Sequence, residues 1–158
     1  MNIQPPVRTR HTYRQHLAAP PERVFPLLCP VREVDWVQGW EPGVVFTDSG
    51  VAEPDCVFTT PDGDAEAVWV VTEYDPDGYR IGFVKVTPAE LAVRIEIVLE
   101  GDDAGGTTAQ VSYTYTALGP RGADRVARMT PAAYEAFMQE WEDELNHYLH
   151  TGRMREAS

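Results

Sequence analysis

Two stretches, LAVRIEIVLE at 91–100 and TTAQVSYTYTAL at 107–118, alternate apolar and polar residues along their length. In the first, Leu91, Val93, Ile95, Ile97 and Leu99 share one face, with Arg94, Glu96 and Glu100 on the other. In the second, Ala109, Val111, Tyr113, Tyr115 and Ala117 oppose Thr108, Gln110, Ser112, Thr114 and Thr116. Successive strand side chains point to opposite faces, so this period specifies strands that are dry on one face and wet on the other. A dry face needs a covering layer, and the rest of the chain must supply it.

The cover is written near the C-terminus. Tyr134, Phe137, Met138, Trp141, Leu145, Tyr148 and Leu149 follow helical spacing, while Glu135, Gln139, Glu140, Glu142 and Asp143 fall largely away from that stripe. Thr130-Pro131 supplies an N-cap and a proline at the first helical position, and Gly152 suits the left-handed residue that ends a helix. The pattern predicts a helix over about 131–151; at about 1.5 Å per residue it spans roughly 30 Å, enough to cross a small sheet.

Between these elements the chain reads as strands divided by turn signals at PGV, DSGVAEPD, TPDGD, DPDG, TPAE and GDDAGG. The expected strands are 11–17, 44–47, 56–60, 65–74, 79–86, 91–100 and 107–118, with 1–10 flexible and 119–129 a long linker. Short connections argue an antiparallel meander. After the first strand, AAPPERVFPLL and a segment near 31–37 read as two short helices. WVVTEY around Trp69 is apolar on both faces, and an apolar outer face there would point to a homodimer.

At 158 residues the chain fits a single domain. Its formal charge of −12 disfavours nucleic acid and anionic membrane surfaces, which are bound by Lys and Arg. No apolar run is long enough for membrane insertion, and MNIQPPVRTRHTYR lacks the apolar core of a secretory signal. The expectation is a cytoplasmic protein. Cys29 and Cys56 lie in no CxxC pair; two buried thiols are the favoured reading and a disulfide stays open. Lys85 is the only lysine beside twelve arginines, and the sequence offers no functional account of it.

The order of strand, two short helices, six strands and long helix resembles the helix-grip fold of the START-like (SRPBCC) superfamily of polyketide cyclases, lipid-transfer domains and chaperone-ATPase activators. Ala19-Pro20-Pro21-Glu22-Arg23-Val24-Phe25 is similar to the AP-x-x-V-F/W pattern that begins the first helix in that superfamily. Trp141, Leu145 and Leu149 are similar to the W-x-x-x-L ending of the activator-like branch. The resemblance implies an α+β fold, a curved seven-stranded antiparallel sheet wrapped around a long C-terminal helix, with a deep apolar cavity between them. It carries no common catalytic motif, so function has to be argued from the cavity.

The candidate ligand-binding residues are Tyr13 on the first strand, Trp36 and Trp40 beside the Pro42-Gly43 break, Tyr113 and Tyr115 on the last strand, and Tyr134, Phe137 and Trp141 on the long helix. Aromatic rings offer large apolar area, and Tyr and Trp add one polar tip. Core packing is the alternative for each; for Trp36 and Trp40, a gate at the mouth of the grip and a structural plug are equally open. His11 and Gln15 share the inward period of the first strand, and Glu33, Asp35 and Glu41 could serve as acid or base if desolvated.

No metal site is expected: Glu144, His147 and His150 lack a converging partner pair, and GDDAGG lacks calcium-loop spacing. Asp48-Ser49-Gly50 is a turn, not a nucleophile elbow, and no phosphate loop or dinucleotide fingerprint occurs, so no cofactor is expected. The first reading is a protein that holds a hydrophobic lipid-, polyketide- or aromatic-like small molecule between sheet and helix. The alternatives are a cyclase/aromatase-type enzyme using the same cavity, for which a titratable group facing the cavity is the discriminator, and a chaperone-associated interaction module.

Overall fold

The computed structural model describes residues 1–157. β1 (Arg8–Leu17) begins earlier than the sequence pattern suggests, because Arg8 to Arg10 pair in register with Thr116 to Thr114 on the last strand. It leads into α1 (Pro21–Val24), a single turn continued by a 3-10 turn at Phe25–Leu28. Pro26 and Pro30 keep this segment short, since proline cannot donate the bonds that would extend it. The second expected helix near 31–37 shrinks to a 3-10 turn at Glu33–Asp35. Its Val34 is exposed, so the turn presents no continuous apolar face to the core.

The remaining strands are β2 (Val45–Phe46), β3 (Val57–Asp62), β4 (Ala65–Asp75), β5 (Arg80–Thr87), β6 (Leu91–Gly101) and β7 (Thr107–Ala117). They form one antiparallel sheet in the order β1-β7-β6-β5-β4-β3-β2. This is a meander with β1 folded back against β7. The alternation in β6 and β7 sets the faces: Leu91, Val93, Ile95, Ile97, Leu99, Ala109 and Val111 are all buried. A bulge between Val71 and Glu73 falls opposite Gly82. A Cβ on Gly82 would come within 3.1 Å of the Thr72 hydroxyl, so glycine leaves room for the extra residue and the bend it brings.

The expected linker at 119–129 contains α2 (Pro120–Arg128). Pro120 takes the first helical position after an extended Gly119. Gly122 lets the helix lie directly on the β5–β6 turn, where a Cβ would sit 1.7 Å from the Glu90 carbonyl oxygen. Arg125 then clamps α2 to the sheet, its Nη1 donating at 2.8 Å to both Asp62 Oδ2 and Glu90 Oε2.

α3 (Pro131–Thr151) is capped as its sequence requires: the Thr130 side chain accepts from the Ala133 amide, and Gly152 ends it at φ 67°. Tyr134, Met138, Leu145 and Leu149 bury its apolar stripe against the sheet. Polar side chains fix its position along β1. Asn146 accepts from the Ala18 amide and donates to the His16 carbonyl, both at 2.9 Å, and Glu142 accepts from the His16 amide. The result is an open α+β helix grip, sheet wrapped on helix.

Candidate functional site

The inner face of the sheet is not filled completely. Between β3–β7, the Glu33 turn and α3 lies a cavity of about 230 Å³. Phe58, Trp69 and Phe83 form its sheet wall; Phe58 and Trp69 stack with centroids 5.1 Å apart, and Phe83 meets both edge-on. Trp40 closes one end, 5.7 Å from Trp69 and nearly perpendicular to it. Tyr113, Phe137 and Trp141 supply the side toward α3.

Most of the wall is polar-inert. The Trp40 indole N–H donates to the Pro30 carbonyl at 2.8 Å and that of Trp69 to the Thr60 hydroxyl at 2.9 Å. Neither donor is free for a ligand. Among the described residues of the lining, the side chains with uncommitted polar ends are Glu33, Lys85, Tyr113 and Trp141.

Glu33 comes from the 3-10 turn, and no ion pair or hydrogen bond reaches its carboxyl among the described residues. Desolvation alone pushes that carboxyl up to about 8, so it is protonated at neutral pH and can donate as well as accept. Burial also holds the Tyr113 phenol well above its ordinary value, with neighbouring Tyr115, Tyr134 and Glu33 adding to the effect. Lys85 lies on the same inward face, its Nζ 5.1 Å from the centre of the Trp69 ring. Burial lowers its pKa, and Asp62 pulls the other way.

Four of the eight sequence candidates, Trp40, Tyr113, Phe137 and Trp141, come together on this cavity. The other four lie outside the lining. Trp36 is fully buried, donates to the Leu27 carbonyl at 2.9 Å and packs 5.5 Å from Trp141, behind the wall. Tyr134 is committed through its hydroxyl to the Val111 carbonyl at 2.8 Å, and its ring stacks on His11 and meets Tyr113 edge-on. Tyr115 is buried with its hydroxyl unpartnered beside the Arg125 end of the sheet. Tyr13 is half-buried on β1 opposite Val111. His11 bonds the Met129 carbonyl at 2.8 Å and Gln15 the Met138 carbonyl at 3.1 Å, both tying β1 to the helices.

Val37, Phe137 and Trp141 also line a second hollow of about 200 Å³ together with Gln38, Glu140 and Glu144. Those three apolar side chains therefore separate the inner cavity from a more polar vestibule, and Phe137 is itself exposed.

No family model matches the sequence, and no curated protein matches it. Solved structures do. The chain is similar to norcoclaurine synthase from Thalictrum flavum in complex with dopamine and hydroxybenzaldehyde, with a TM-score of 0.64 at 10% identity over 97% of this chain and 91% of that one. It is similar to Ara h 8.0201 with a TM-score of 0.63 at 18% identity, over 91% and 99% of the two chains. The chain has the START-like helix-grip fold. DynU16, a protein in the dynemicin biosynthetic locus, shares the helix grip with a TM-score of 0.58 at 21% identity; 96% of this chain spans about half, 52%, of that one.

Within this helix grip, Phe58, Trp69, Phe83 and Lys85 are the aromatic and charged wall residues that the sequence reading did not assign to the site. Their signal was available. Ile81, Phe83 and Lys85 alternate in RIGFVKVT, and Ile81 and Phe83 are buried inward residues, so the period carries the lone lysine onto the dry face. Among the described residues no helix is long and apolar enough to cross a membrane, and no cluster of His, Cys, Asp and Glu is arranged to hold a metal. Cys29 and Cys56 are both buried free thiols, and Cys29 Sγ accepts from the Ala52 amide at 3.1 Å.

Proposed function

We propose that residues 1–158 form a single START-like domain that binds a small, flat, hydrophobic molecule of aromatic character in the cavity between sheet and α3, in the cytoplasm. The observation that carries this reading is the cavity itself: about 230 Å³ walled by Trp40, Phe58, Trp69, Phe83 and Phe137, with few free polar ends. A dry cavity of about 150 Å³ already accommodates benzene, so one or two rings fit this one. The complex of norcoclaurine synthase with dopamine and hydroxybenzaldehyde, on a similar fold, is consistent with ligands of that size. Binding would work by desolvating the rings against the aromatic wall, with Glu33, Tyr113 and Lys85 fixing orientation.

Native mass spectrometry of protein purified gently from its own host tests this directly. A discrete noncovalent adduct that disappears in Tyr113→Ala or Trp141→Ala, in a still-folded protein, is the expected result. An adduct unaffected by either change would place the ligand elsewhere.

Glu33 favours a second reading, an enzyme of the cyclase/aromatase type. An unpaired carboxyl on an apolar cavity wall, with its pKa raised to about 8, is poised to exchange a proton with a ligand carbon or oxygen near neutral pH. Turnover abolished in Glu33→Gln, with ligand binding retained, would select this reading over simple binding.

A further inference from the structure

Lys85 poses a problem that packing alone does not answer. It is the sole lysine of the chain, and it projects from the sheet's inner face onto the cavity wall, its Nζ 5.1 Å from the centre of the Trp69 ring. A cation drawn into apolar surroundings is costly without a counter-charge. The nearby carboxylates act on it only at longer range: Asp62 accepts from Arg125 and from the Thr87 hydroxyl, and Glu90 accepts from the same Arg125. Among the described residues neither lies within ion-pair distance of Lys85. Glu33 does not answer it either: among the described residues its carboxyl lies within ion-pair distance of no cation.

The register sets these groups apart. Tyr113 stands opposite Ile95, which stands opposite Phe83; Lys85 stands opposite Val93, which stands opposite Tyr115. Lys85 and Tyr113 are therefore two strands and one inward row apart, roughly 12 Å between Cα atoms at about 4.8 Å per strand and about 3.3 Å per residue. The cavity has a cationic end at Lys85, aromatic walls, and a neutral hydrogen-bonding end at Glu33 and Tyr113.

We propose that the cavity takes an aromatic acid: its carboxylate pairs with the Lys85 ammonium, its ring system lies against Phe58, Trp69 and Phe83, and a carbonyl or hydroxyl at its far end meets Glu33 and Tyr113. This rests on the ligand-binding reading above and adds the charge of the ligand. A ligand carboxylate would give Lys85 the direct ion pair that Asp62 and Glu90 do not, and a charge-assisted bond to it in a dry site discriminates strongly against a neutral isostere.

The test compares two isosteric probes by isothermal titration calorimetry at pH 7: 2-naphthoate, which is ionised, and 2-naphthamide, which is not. The expected result is a preference for 2-naphthoate of roughly tenfold to a hundredfold in the wild type. Lys85→Met, which keeps the apolar stem, should bring 2-naphthoate down to the 2-naphthamide level, and Lys85→Arg should restore part of the preference. Equal affinity for the two probes in the wild type, or a preference that survives in Lys85→Met, overturns the acid assignment and leaves the cavity reading standing. Binding of neither probe overturns both. The wild-type comparison needs no variant, so it decides even where Lys85→Met fails to fold.

Discussion

The indole ring of Trp36 packs 5.5 Å from that of Trp141, so the wall of the cavity rests on a second, fully buried tryptophan behind it. Trp36 and Trp40, four positions apart, thus do different work. Trp36→Ala removes a ring with no exposed surface and should cost about 3–5 kcal/mol of stability, as large-to-small core changes do. Trp40→Ala opens a half-buried end of the cavity and should cost less while weakening ligand binding. Urea unfolding of both variants checks the ordering; a nearly neutral Trp36→Ala would contradict its place in the core.

Glu33 should give the protein an unusual pH profile. In the folded state its carboxyl keeps its proton up to about pH 8, whereas in the unfolded chain it ionises near its ordinary value of 4.5. Between those values the folded state binds the extra proton, so stability falls as pH rises through the window, and the full penalty stands above pH 8. Glu33→Gln carries no such penalty. Melting temperatures of the two proteins should agree near pH 4 and diverge by pH 9, Glu33→Gln melting higher by at least about 3 °C. Parallel profiles across that range would mean that the carboxyl ionises freely.

Gly122 allows contact between helix α2 and the β5–β6 turn. Gly122→Ala would drive a Cβ to 1.7 Å from the Glu90 carbonyl oxygen, a backbone atom that cannot swing away. The change should displace α2 and disturb the Arg125 bonds to Asp62 and Glu90. Expected outcomes are a loss of at least about 2 kcal/mol and faster amide exchange in α2, despite alanine's better helix propensity. A stabilised variant would refute the close contact.

Gln15 is buried with its Oε1 unpartnered, and its Nε2 donates to the Met138 carbonyl within α3. Removing both polar atoms together relieves an unsatisfied acceptor while leaving a carbonyl that helix bonding can serve. Gln15→Leu should therefore be neutral or stabilising by about 1 kcal/mol. A loss larger than about 2 kcal/mol in chemical denaturation would show that the single bond outweighs the orphaned oxygen.

What could be read from the sequence followed the strength of its periodicity. β6, β7 and α3 have long, unbroken patterns and appear within a residue or two of their expected limits. α2 was missed because its nine residues contain a glycine and its inner face carries only Gly122, Ala123 and Val126, too short an apolar stripe to stand out; a close contact and an arginine clamp hold it, and neither has a local pattern. The segment 31–37 failed as a helix for the opposite reason, since Val31, Val34 and Val37 lie near helical spacing and the backbone closes only a 3-10 turn. At the site, the α3 aromatics and Tyr113 were legible because their stripes are long. Glu33 was one carboxylate among 25 acidic residues, and its isolation became apparent only once the cavity closed around it.

The bonds from Glu142 and Asn146 to His16 and Ala18 have a consequence for how copies of this molecule can meet. An unpaired strand edge is a template on which another chain can polymerise. Here a helix occupies that template at the end of β1, and at the opposite border β2 offers only Val45 and Phe46. Strand addition is thus obstructed where α3 covers the end of β1 and poorly seeded at the two-residue border of β2, so neither border presents a full-length free edge to a second copy.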